Sequence, residues 1–73
     1  MYSRTRCGLC DRARERIEEA AAAVPIAFDE VLIDGREELE REYGLRVPVV
    51  LIDGEERFEV EVDPEQLRAA LGA

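Results

Sequence analysis

Apolar and small residues at Leu9, Cys10, Ala13, Ile17, Ala20, Ala21 and Val24 recur every three to four positions and predict one amphipathic helix, ended by Pro25. Ile26 to Ile33 is rich in branched and aromatic residues between Pro25 and Asp34-Gly35, so it reads as a strand even with Asp29 and Glu30 in its middle. Asp34 followed three residues later by Glu37 resembles a capping box, Leu39 and Tyr43 share a helix face, and Gly44 supplies the stop of a short second helix. Val47 to Ile52 is an almost unbroken apolar run, which predicts a central strand covered on both faces. Asp53-Gly54 is a two-residue hairpin signal, after which Phe58, Val60 and Val62 alternate with Arg57, Glu59 and Glu61 as in a half-solvated edge strand. In the last segment Asp63 caps, Pro64 takes the first helical position, Gln66 completes a box, and Leu67, Ala70 and Leu71 form the apolar side.

The resulting order is helix, strand, helix, hairpin, helix, with Met1 to Ser3 left as a very short first strand. The class is therefore α/β or α+β. A strand-helix-strand crossover is right-handed and parallel, whereas the hairpin is antiparallel, so the sheet is mixed and helices can cover both faces. Phe28, Leu39, Tyr43, Phe58 and Leu67 are expected to be buried or partly buried packing residues. Tyr2 either packs or borders a site, and Glu55, Glu56, Glu59 and Glu61 are expected in solvent.

Composition narrows what such a fold does. With 73 residues the chain closes one small core and has no length for a second domain. Its 18 acidic and 10 basic residues give a net charge of -8, which excludes nucleic acid and anionic membrane surfaces as expected partners. The absence of His removes Ser-His and Cys-His pairs and histidine-based zinc sites. The start is polar and basic with no apolar stretch of a secretory signal, and the longest uncharged segment, Ala20 to Phe28, is far short of the roughly 20 residues that span a bilayer. The chain reads as soluble, with the cytoplasm as the expected compartment.

The chemistry rests on Cys7-Gly8-Leu9-Cys10 at the start of the first helix. Unpaired N-H groups and the positive end of the helix dipole favour a thiolate there, which makes Cys7 the candidate nucleophile. Cys10, one turn deeper on the same side, is the candidate resolving thiol. Residues 1–16 carry five Arg against Asp11 and Glu15, leaving the remainder strongly acidic. Arg4 and Arg6 lie next to the thiol and are the basic residues expected to matter; Arg12, Arg14 and Arg16 read as an ordinary solvated helix face. Other readings of the two cysteines are a pair of small buried hydrophobes, half of a four-thiolate zinc site completed by a second chain, or a thiol pair that senses oxidation.

Tyr2-Ser3-Arg4-Thr5-Arg6-Cys7-Gly8-Leu9-Cys10, then Val47-Pro48-Val49-Val50, then Ile52-Asp53-Gly54 together resemble the glutaredoxin branch of the thioredoxin-fold superfamily. Within that branch the chain is most similar to small bacterial glutaredoxin-like proteins with a Val-Pro-Val segment. The resemblance implies one glutaredoxin-like domain over residues 1–73, an α/β thioredoxin-like fold in three layers, with a four-stranded mixed sheet and three helices. It also implies a cis bond between Val47 and Pro48 facing the cysteines, with the Val47 backbone pairing with a bound thiol substrate. Gly8 and Leu9, within the motif, join that substrate-binding set, as do Arg4, placed where glutaredoxins carry a basic residue near the glutathione carboxylate, and Arg6. Family members bring more residues into the first strand than Met1 to Ser3, so either that strand is very short or the natural chain begins upstream.

The implied activity is reduction of protein or glutathione mixed disulfides by a Cys7/Cys10 dithiol in a monomer, with no bound cofactor or metal. Glutathione or a reductase would act as electron donor. The alternative is a non-catalytic module that keeps the fold and uses the groove beside Pro48 to hold a protein or thiol ligand.

Overall fold

The computed structural model describes residues 1–72. The elements are β1 (Tyr2–Ser3), α1 (Gly8–Ala23), β2 (Val31–Leu32), α2 (Glu37–Tyr43), β3 (Val49–Ile52), β4 (Glu55–Glu59) and α3 (Pro64–Ala70). The sheet order is β2-β1-β3-β4, with β1 parallel to β2 and antiparallel to β3, and β3 antiparallel to β4. The mixed sheet, the interior β3 and the edge strand β4 agree with the sequence pattern, and β1 is very short.

Hydrophobic burial divides the molecule into two packed layers about the sheet. Ala13, Ile17 and Ala20 of α1 pack with Val50, Val62 and Leu67, and Ile26, Phe28, Phe58 and Leu71 close around them. The second cluster joins Cys10, Ile33 and Val47 with Tyr2, Cys7, Leu39 and Tyr43. The helical stripe read from sequence is thus real at Cys10, Ala13, Ile17 and Ala20, whereas Ala21 lies on the exposed side.

The strand expected from Ile26 to Ile33 contracts to Val31–Leu32. A ladder needs a partner of equal length, and β1 offers two residues, flanked by bonds from the Val31 N-H to the Met1 carbonyl and from the Ile33 N-H to the Ser3 carbonyl. Ile26 and Phe28 keep their alternation but satisfy it by packing on the core alone. The hairpin forms at Asp53-Gly54, both with positive φ (53° and 82°), the conformation for which Asp-Gly is suited. β4 stops at Glu59 because Val60 turns into the left-handed region (φ 68°), where its N-H reaches the carbonyls of Arg46 and Pro48.

Asp63 caps α3 as expected, accepting the Glu65 N-H at 3.0 Å, with Pro64 in the first turn. Gln66 is exposed and adds no return bond among the described residues. Gly44 ends α2, but with a right-handed φ of -54°, so it serves as a stop without the left-handed turn. No helix among the described residues is long and apolar enough to cross a membrane.

A polar cluster ties α1 to β1 and to the segment before β2. Arg14 does not lie free on a solvated face: its guanidinium donates to both Glu30 oxygens at 2.7 and 2.6 Å and to Asp11 at 3.0 Å, while the fully buried Ser3 donates its hydroxyl to Glu30 at 2.6 Å. This corrects the solvated-face reading of Arg14 and explains the carboxylate inside an apolar segment. The Arg14 bond holds the Glu30 carboxyl below its ordinary value against the opposing effect of burial, and the Ser3 bond adds to it. A lowered folded-state value gives stability that is present above the unfolded carboxyl pKa of about 4.3 and is lost as pH falls through the folded value. Glu30→Gln is therefore expected to cost about 1–3 kcal/mol at neutral pH, and the difference from wild type narrows toward pH 3. Urea midpoints at both pH values check this; an unchanged gap would contradict it.

Candidate active site

Cys7 is the N-cap of α1, with extended φ and ψ of -120° and 104°, and its Sγ accepts the backbone N-H of Cys10 at 3.1 Å. A residue at this point faces the unpaired amides of the first turn, and here the side chain that takes one of them is sulfur. Cys7 and Cys10 are joined as a disulfide with their Cα atoms 5.2 Å apart, a separation ordinary for such bonds. The two differ sharply in access: Cys7 is half-buried, while Cys10 is 0% exposed, sealed by Ile33 and Val47. An incoming sulfur therefore reaches Cys7, and Cys10 sits behind it.

The Val47-Pro48 peptide is cis, as the resemblance implied. Val47 packs in the same cluster as both cysteines, and Pro48 is fully buried. The Pro48 carbonyl is taken by the Val60 N-H at 3.0 Å, whereas Val47 makes no backbone-to-backbone hydrogen bond among the described residues. Its main-chain groups therefore have no backbone partner where they stand beside the sulfur pair.

The remaining expected residues separate. Gly8 opens α1 and is exposed; Leu9 lines an open cleft of about 470 Å³ between α1 and the segment Val60 to Pro64, together with Arg12 and Arg16. Arg6 is exposed and left-handed (φ 55°) immediately before Cys7. The Arg4 guanidinium donates to the Gly44 carbonyl at 3.0 Å and lies 3.9 Å from Glu40, so it is bound to the C-terminal end of α2, where a cation is favoured.

The surroundings join residues singled out from the sequence with one that was not, Arg46. Tyr2 stacks on Tyr43 with ring centroids 4.2 Å apart and an interplanar angle of 12°, and the Arg46 guanidinium lies 5.4 Å from the Tyr43 centroid. Arg46 is in turn paired with Glu56 and, at 3.1 Å, with Glu59, so two of the hairpin carboxylates are exposed as expected yet occupied. Burial pushes the Tyr43 hydroxyl above its ordinary value, and the neighbouring Tyr2 adds to the rise. Asp34, expected to cap α2, instead binds Thr5; α2 has Arg36 at its N-cap with no side-chain cap bond. Among the described residues no group of three or more Cys, Asp or Glu is placed to hold a metal ion.

Comparison with known proteins places this geometry. Uncharacterized proteins of Mycobacterium bovis and Mycobacterium tuberculosis are each 37% identical over 76 residues, spanning 94% of this chain and 76% of the relative. The X-ray structure of a structural-genomics target protein from X. campestris superposes with a TM-score of 0.83 at 39% identity, covering 97% of this chain and 91% of that one. Residues 1–72 match the family described as Glutaredoxin-like domain (DUF836), and the chain, with its thioredoxin-like fold, belongs to that glutaredoxin-like family.

Proposed function

We propose that the chain is a thiol-disulfide oxidoreductase. In its reduced form the Cys7 thiolate attacks one sulfur of a substrate disulfide, forms a mixed disulfide and expels the other substrate sulfur as a thiolate. Cys10, as a thiolate, then attacks the Cys7 sulfur, releases the second substrate thiolate and closes the Cys7-Cys10 disulfide. The substrate gains two electrons, and with two protons from solvent becomes two thiols. An external dithiol reductase, or two glutathione molecules that become one glutathione disulfide, returns the electrons. Substrates are disulfide-bearing proteins or small mixed disulfides, and the dependence on a reductant pool makes the cytoplasm the proposed compartment.

The observation that carries this reading is the division of labour in the CxxC turn: a reachable sulfur at the N-cap accepting an amide N-H, and a sealed sulfur one turn behind it. Val47 supports it by offering main-chain groups without a backbone partner to the substrate segment adjoining the disulfide, while Gly8 is exposed at the start of α1 and Leu9 lines the cleft beside that helix. Arg6 remains a candidate for substrate contact; Arg4, tied to Gly44, is assigned to holding the loop.

Removing the resolving thiol tests the sequence of steps. Cys10→Ser, mixed with an oxidised substrate, is expected to accumulate one adduct per chain at Cys7, visible as a mass increase that dithiothreitol reverses. Absence of any adduct would contradict the two-thiol mechanism.

A further inference from the structure

The turn that delivers Cys7 to α1 is anchored from outside itself. Thr5 donates its backbone N-H to one Asp34 oxygen at 2.9 Å and its hydroxyl to the other at 2.8 Å, across 29 positions of sequence. Neither Thr5 nor Arg6 makes a backbone-to-backbone hydrogen bond among the described residues, and β1, which precedes them, is two residues long. Arg4 holds the near end of this segment through the Gly44 carbonyl. Beyond Thr5 there remain only Arg6, in the left-handed region, and then the Cys7 cap.

We propose that Asp34 is a positioning residue for Cys7: by clamping Thr5 it fixes the angle at which the chain enters α1, and so holds the Cys7 sulfur against the Cys10 N-H. This rests on the thiol chemistry proposed for Cys7 and adds to it a residue from the β2–α2 connection. Asp34 stands where a cap for α2 is expected, yet its carboxylate is turned to Thr5 and leaves that helix uncapped. The Thr5 amide, and then the Thr5 hydroxyl, hold the Asp34 carboxyl below its ordinary value, so the clamp persists through the neutral range.

Geometry and charge act on Cys7 with opposite signs, which makes them separable. A carboxylate near the motif disfavours a thiolate, while the aligned amide favours it. Asp34→Asn keeps an acceptor for the Thr5 N-H and removes the charge; Asp34→Ala removes both. Thr5→Ala removes the hydroxyl bond alone.

The test is the rate of iodoacetamide alkylation of Cys7 against pH in the full reduced chain, with the site read by mass and thermal unfolding recorded in parallel. Asp34→Ala is expected to raise the alkylation midpoint by about one pH unit, roughly a tenfold change in thiolate equilibrium. Thr5→Ala is expected to give a smaller rise, and Asp34→Asn a midpoint at or below wild type. A purely structural role would lower the unfolding temperature of the variants and leave their midpoints together. A low wild-type midpoint unmoved by Asp34→Ala and Thr5→Ala overturns this inference alone; a rise in Asp34→Asn equal to that in Asp34→Ala does the same. A wild-type midpoint equal to that of an unstructured thiol overturns the thiolate reading beneath it.

Discussion

Cys7→Ser is expected to abolish dithiothreitol-driven insulin reduction, lowering the rate over background by on the order of a thousandfold or more, because no other side chain can form the mixed disulfide. Cys10 cannot substitute, being fully enclosed by Ile33 and Val47. The replacement is also structurally mild. Ser is among the preferred N-cap residues and can accept the Cys10 N-H that Cys7 now accepts, so the helix start is kept and the lost rate does not reflect unfolding. Equal rates for Cys7→Ser and wild type, with both folded, would rule out the oxidoreductase reading.

The second large effect is on stability. Leu67 is 2% exposed and is the buried residue of α3, seated among Ala13, Ile17, Ala20, Val50 and Val62. Leu67→Ala deletes that anchor and leaves a cavity, at a cost of about 2–5 kcal/mol. A core of this size supplies a net stability of about 3–5 kcal/mol, so the variant is expected to lose most or all of its folded population at room temperature. Leu45, at 99% exposure, is the contrast: Leu45→Ala is expected to change stability by less than about 0.5 kcal/mol. Urea unfolding followed by circular dichroism decides it, and a Leu67→Ala midpoint equal to that of Leu45→Ala would mean that α3 is not held by this contact.

The elements with strong periodicity and clear punctuation were legible in the sequence. The α1 stripe, the Asp53-Gly54 hairpin and the Asp63-Pro64 helix start each combine a pattern with a local stop or cap, and each is found within a few residues of its expected place. The Cys7 cap follows from the same local logic, and the cis bond at Pro48 from the family resemblance.

What escaped was non-local. The length of β2 depends on the length of β1, a partner 29 residues away, and no propensity within Ile26 to Ile33 contains that information. Asp34 has the spacing of a cap, yet Thr5 offers it two donors at once, and the long-range pair prevails over the local one. Glu30 showed only as a misfit in an apolar run. It became intelligible once Arg14 and Ser3 were brought beside it. The bond from Arg4 to the Gly44 carbonyl is non-local in the same way, since it requires knowing where α2 stops.

The central claim is that the Cys7 sulfur of the reduced chain is ionised at neutral pH by its place at the mouth of α1. Its most direct test is the pH dependence of Cys7 alkylation in reduced wild-type protein, measured beside a peptide of residues 4–10 with Cys10 replaced by Ser. The account predicts a midpoint for the folded chain well below that of the peptide, which will titrate near the free-thiol value of about 8.5. Superimposed curves would contradict it.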